Sequence, residues 1–139
     1  MKPTLLFTFL LTSTLLFAQS EEKPLDSFDR IVASQYVNVI LEKGEKESIR
    51  IEYTGVDPEV VNIKVRRKRL HIYLDDAKLV GKQEKFYYNG TKQTRSMYRG
   101  SSVTAYITYK ELCGLEIRGE EELVCNGAIN ADKFKLKVY

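Results

Sequence analysis

The sequence predicts an all-β single domain, in part antiparallel and in part a β-solenoid of the right-handed β-helix kind, and three observations predict it. Residues 48–53, 70–74 and 102–109 alternate polar and apolar side chains with a period of two, the mark of a half-buried strand. Turns containing Gly, Asn or Pro separate such runs at short intervals. Near the C-terminus, Leu115-Glu116-Ile117-Arg118-Gly119 is echoed nineteen residues later by Phe134-Lys135-Leu136-Lys137-Val138. An apolar-x-apolar unit returning after about twenty residues, with glycine at the corners, is how a solenoid coil reads. Two copies suit an ordinary antiparallel sandwich equally well.

The elements follow in order. Lys2, the uncharged apolar run 5–17 and Ala18-Gln19-Ser20 read as a secretory signal peptide cut after Ala18. The run is shorter than the ~20 apolar residues of a membrane-spanning helix, and no cysteine follows it to carry a lipid. Residues 19–27 read as a linker and 28–139 as the β domain. Strands are expected over 28–33 and 36–41, then a polar turn Lys43-Gly44-Glu45-Lys46, then 48–53. Asp57-Pro58 can cap one short helical turn. Residues 63–65 and 70–74 form a pair, with Leu70, Ile72 and Leu74 on one face and His71 and Tyr73 on the other. Between 75 and 101 the alternation dissolves. Asn89-Gly90 is a two-residue hairpin signal there, so this stretch reads as an irregular hairpin or loop excursion. Strand order returns at 102–109, 115–119 and 134–138, with short strands or bends at 123–125 and 127–129.

Composition narrows the function classes. Loss of residues 1–18 leaves 121 residues, enough for one domain with a modest core, and lowers the net charge from +3 to +2. That charge is too small for a nucleic-acid binder, and no second long apolar run crosses a membrane as a helix. Cys113 and Cys125 lie in segments that read as successive repeat strands, where they can meet as a disulfide after export or remain two small thiols. No metal site or cofactor is expected, because no His or acidic partner sits at ligand spacing. His71, the sole histidine, stands on an outward strand face with no nucleophile motif to serve. Asp75-Asp76 and Glu120-Glu121-Glu122 are adjacent acids in turns, whereas a glycosidase needs two carboxylates facing each other across a cleft.

Binding chemistry is better represented. Arg66-Arg67-Lys68-Arg69 concentrates four positive charges at a hairpin tip, and Arg95 and Arg99 share the irregular region with Tyr87, Tyr88 and Tyr98. Guanidinium groups pair bidentately with phosphate or carboxylate, and aromatic rings offer a face to sugars. The expected partners are anionic envelope glycans or lipid. A charged tip also keeps a β protein soluble and its edges unpaired, with no ligand at all.

The opening Phe28-Asp29-Arg30-Ile31-Val32-Ala33-Ser34-Gln35-Tyr36-Val37-Asn38-Val39-Ile40-Leu41-Glu42-Lys43-Gly44 carries a resemblance, with Leu70-His71-Ile72, 103–109 and Leu112-Cys113-Gly114-Leu115-Glu116-Ile117-Arg118-Gly119. Over residues 28–139 the chain resembles the family described as "putative auto-transporter adhesin, head GIN domain", typical of Bacteroidetes envelopes. The resemblance implies an all-β body with a C-terminal β-solenoid, exported to the periplasm, outer-membrane surface or beyond. It brings no ligand. Members of that family run on through further coils, so the C-terminal coils here are expected to be truncated at Tyr139. The charged run 118–122 stands where the family favours Ser, Gly and Ala. The function expected is that of an exported, non-enzymatic, adhesin-like binding or structural module. The alternatives are self-association through the C-terminal coil and a polysaccharide-processing β-helix enzyme.

Overall fold

Alternation with a period of two makes a stable strand only when one face is buried, and in this chain two sheets bury theirs against each other. The computed structural model describes residues 21–75, 77, 83–96 and 98–139; the expected signal peptide lies outside them. The described residues form twelve strands: Lys23–Pro24 (β1), Arg30–Ala33 (β2), Val37–Lys43 (β3), Ser48–Thr54 (β4), Val61–Arg66 (β5), Arg69–Leu74 (β6), Gln83–Tyr88 (β7), Thr91–Ser96 (β8), Ser102–Tyr109 (β9), Gly114–Ile117 (β10), Leu123–Asn126 (β11) and Lys135–Val138 (β12). One sheet has the order β1-β4-β9-β3-β11 and the other β12-β10-β2-β6-β5, while β7 and β8 form a separate hairpin. Both five-stranded sheets are mixed. Pairs β3–β9, β3–β11, β2–β6, β2–β10 and β10–β12 are parallel, and β1–β4, β4–β9 and β5–β6 antiparallel.

A single apolar cluster joins the sheets. Ile31, Ala33, Leu70, Ile72, Leu115 and Ile117 meet Val37, Val39, Leu41, Ile49, Val103, Ala105 and Ile107, all buried, with Phe28 closing one side. Burying each of the Val, Leu, Ile and Phe side chains among them contributes about 1.5–3 kcal/mol. The alternation expected for 70–74 and 102–109 is present in both strands. Asp57 caps the 3₁₀ turn Pro58–Val60 by accepting from the Glu59 N–H at 3.0 Å. Lys23 and Pro24, expected in a linker, pair with β4 instead.

The registers reveal how the chain is layered. Gly114 stands beside Arg30 and Leu123 beside Val39, so β10 and β11 lie on β2 and β3 at one constant offset of 84 residues. The corners stack too. Tyr36, at a positive φ of 67°, donates its N–H to Glu121 Oε1 at 2.6 Å, and Glu122 N–H donates to Asn38 Oδ1 at 3.0 Å. The acidic run 120–122 therefore fastens one corner to the next. On the other side, β2 lies beside β6 at an offset of 39, but β3 beside β9 at an offset of 66. The β6–β9 connection thus carries 27 extra residues. These hold the β7–β8 hairpin, turning at Asn89-Gly90 as the sequence indicates.

One expectation needs correction. The C-terminal echo pairs Leu115 with Leu136, twenty-one residues on, and not with Phe134. A slip of two leaves every side chain on its own face, so alternation alone cannot distinguish the registers. Of the two readings open for the cysteines, the structure has Cys113 and Cys125 as free thiols. Cys113 precedes β10 in one sheet and Cys125 lies on β11 in the other. Cys113 sits against Arg30 and Cys125 against Tyr109.

Candidate binding face

A ladder aligns side chains in rows that run across the strands, each strand about 4.8 Å from the next. In the second sheet the inward rows carry the core, and the outward rows carry most of its charge. One outward row runs Lys135, Gly114, Arg30, Arg69, Arg66 from β12 to β5. The next runs Lys137, Glu116, Val32, His71, Lys64 by the same pairings. Beyond them Tyr73 pairs with Asn62, and its hydroxyl lies 3.1 Å from Lys64 Nζ.

Three adjoining depressions cross this face. The first, about 590 Å³, is bordered by Arg30, Arg69, Glu116, Lys135 and Lys137, with Cys113 and Gly114 within it. The second, about 510 Å³, lies among Arg30, Arg66, Arg67, Arg69 and His71. The third, about 350 Å³, reaches Tyr73 and Arg118. Arg69 borders all three. Gly114 is buried beneath the Arg30 side chain: a Cβ there would stand 3.3 Å from Arg30 Cγ and 3.6 Å from its Cδ.

The charge on this face is largely uncompensated. Its acid, Glu116, is held by Arg118, whose Nε and Nη2 donate to Oε1 at 2.9 and 2.6 Å. Arg30 is held by the Cys113 sulfur and by Asp29, at 3.6 Å, and these raise its pKa further above the ordinary guanidinium value. Among the described residues, Arg66, Arg67, Arg69, Lys135 and Lys137 make no ion pair. Like charges directly opposite on neighbouring strands destabilise a sheet by about 0.2–1 kcal/mol per pair. Arg30 opposite Arg69, and Arg69 opposite Arg66, are two such pairs.

The hairpin tip adds to the same end of the face. Arg67 and Lys68 stand between paired Arg66 and Arg69 at φ values of 50° and 59°, as a type I′ turn requires. A non-glycine residue in that region costs about 1–2 kcal/mol, and Asn-Gly is the usual occupant. The Lys68 carbonyl accepts from the N–H groups of Asp29 and Arg30 at 3.0 and 3.3 Å, which ties the tip to the start of β2.

The other expected site residues are dispersed. Tyr98 is buried, packs its ring 5.6 Å from that of Tyr36, and donates its hydroxyl to the Asp75 carbonyl at 2.7 Å; it belongs to the core and not to a ligand surface. Arg99 is exposed in the turn that follows. Tyr87, Tyr88 and Arg95 lie on the β7–β8 hairpin, and their side chains fall outside the described residues. The sequence reading missed Arg30, Lys135 and Lys137, each a lone basic residue within an alternating strand. Their signal was the alternation itself, which placed them on an outward face but could not say beside what.

A family profile described as "Putative auto-transporter adhesin, head GIN domain" matches residues 27–139. Two solved structures share the fold, each described as a "putative adhesin". That from Parabacteroides merdae is 16% identical with a TM-score of 0.62, covering 85% of this chain and 42% of its own. That from Bacteroides fragilis is 15% identical with a TM-score of 0.57, covering 84% of this chain and 47% of its own. The chain thus spans less than half the length of either. No curated protein matches the sequence.

Proposed function

Because the chain belongs to the head GIN domain family, we propose that it is an exported, non-enzymatic, adhesin-like module that binds anionic envelope material through the outer face of its second sheet. The observation that carries this reading is the row Lys135–Arg30–Arg69–Arg66, continued at the tip by Arg67 and Lys68. Three of its cations are aligned against the preference of the sheet, and the tip residues against the preference of the turn. The signal-like residues 1–18 support export, and the two parallel ladders, stacked at constant offset, support a β-solenoid whose coils begin in this chain.

The test is binding of residues 19–139 to anionic glycans and to vesicles of anionic phospholipid, at low and high salt, beside a variant with Arg66, Arg67, Lys68 and Arg69 changed to Ser. Binding that falls with salt and in the variant supports the reading, because exposed charges act only within a screening length of about 8 Å at physiological salt. Salt-independent binding, or none, overturns it.

A second reading has its own observation. On β12 the residues that continue the inward rows, Leu136 and Val138, are 54% and 64% exposed, which favours association with another copy at that edge. Sedimentation of residues 19–139 over a range of concentrations, beside Leu136→Lys, tests it; a monomer at every concentration sinks it.

A further inference from the structure

We propose that the ligand of this face is a linear anionic glycan that lies across the strands, along the row from Lys135 to Arg66, with its sheet-facing carboxylate or sulfate groups meeting cations on different rungs of the sheet. The inference rests on the binding reading above and specifies what is bound and in which direction. Three observations carry it. The cations belong to different strands but to one row, so their spacing is the interstrand spacing of about 4.8 Å, and the row spans four such steps, about 19 Å. An extended glycan advances by about one such step per sugar ring, and successive rings turn their charged groups to opposite sides. The groups facing the sheet thus recur about every second rung, the spacing of Lys135, Arg30 and Arg66; a single phosphate or carboxylate meets only one or two rungs. The row also borders two depressions. These share Arg30 and Arg69 and follow one another along it, giving a chain shallow hollows to lie in, with the cations exposed at the rims. Finally, Gly114 lets the Arg30 side chain lie over it toward Lys135, where a Cβ would stand 3.3 Å from Arg30 Cγ and crowd that cation out of the row.

A chain contacting several rungs gains by linkage: once the first charge is seated, the others bind at high effective concentration. Affinity therefore rises steeply with length until the row is filled, and then levels off.

The experiment is titration of residues 19–139 with galacturonic acid, its dimer and its hexamer, with neutral maltohexaose, and with vesicles containing anionic phospholipid. The hexamer is expected to bind at least about tenfold tighter than the dimer, and maltohexaose not at all. Arg30→Ser with Arg69→Ser removes the central rungs and is expected to abolish the length dependence. Gly114→Val keeps every cation but pushes the Arg30 side chain out of line with the row, so it is expected to weaken the hexamer far more than the monomer. A thiol reagent supplies an independent readout. The hexamer protects Cys113, which lies in the first depression, and leaves Cys125, on the other sheet, unprotected. Equal affinity for monomer and hexamer, or an unaffected Gly114→Val, overturns the inference and leaves anion binding standing. Vesicle binding without glycan binding overturns it in favour of a lipid surface. No binding to any probe overturns this inference and the binding reading together.

Discussion

The chain makes two tight hairpins with one backbone geometry and different chemistry. At the β7–β8 turn, Asn89 and Gly90 take φ values of 48° and 77°, and these are the residues such a turn prefers. At the β5–β6 turn, Arg67 and Lys68 take 50° and 59°, where neither side chain is favoured. Their settings differ as well. Strand β6 places Leu70, Ile72 and Leu74 fully in the core, and the Lys68 carbonyl is bonded to the chain entering β2. The β7–β8 hairpin pairs only with itself, within the long connection between β6 and β9. A turn anchored by a buried strand can carry unfavourable residues without losing its shape, because the packing beneath determines its backbone. A hairpin that joins neither five-stranded sheet depends on its own turn. The basic tip is thus located where the fold can tolerate its strain.

Four measurements break or sharpen that comparison. The largest effect is expected from Ile72→Ala, which opens a cavity under β6; urea unfolding should show a loss of about 2–5 kcal/mol. A loss under 1 kcal/mol would mean that β6 is not the anchor. Next, Arg67→Asn with Lys68→Gly should raise stability by about 1 kcal/mol, since it relieves two left-handed residues, while weakening binding to anionic glycan. If stability is unchanged, the tip is not strained. The converse exchange, Asn89→Arg with Gly90→Lys, should speed amide exchange in β7 and β8 yet leave the global unfolding midpoint in place. A shift of that midpoint would show that the hairpin folds with the body.

The smallest effect concerns pH. Burial first, and Cys125 beside it second, raise the pKa of Tyr109 above the ordinary tyrosine value. The folded state therefore holds that proton more tightly than the unfolded chain. The contribution is intact below about pH 10 and is lost as pH rises through the raised folded value. Alkaline titration should lower the stability of the body that carries β6, and Tyr109→Phe should remove that part of the slope. An unchanged slope in the variant would assign the alkaline loss to other groups.

Much of the fold was legible because it follows from local rules. The alternation at 70–74 and 102–109 gave both strand and buried face, Asp57-Pro58 gave the capped turn, and Asn89-Gly90 gave the second hairpin. The basic tip was legible as four consecutive charges. The remainder of the candidate face was not, since Arg30, Lys135 and Lys137 come from parts of the chain distant from the tip. Tyr98 shows the opposite error. Among charged neighbours in the sequence it resembled a ligand-binding ring, yet its position beside Tyr36 and the Asp75 carbonyl makes it part of the core.

The sequence by itself determined the all-β class, the strands and the faces they bury, because side-chain alternation is a property of each strand alone. Only the tertiary structure decided which strands are neighbours, that β10 and β11 lie on β2 and β3 at a constant 84 residues, and that Leu115 meets Leu136. The physical reason is that a shift of two residues preserves every buried face. Register is settled only when corners, core volumes and hydrogen bonds from the whole chain must fit at once, and the aligned row of cations exists only in that register.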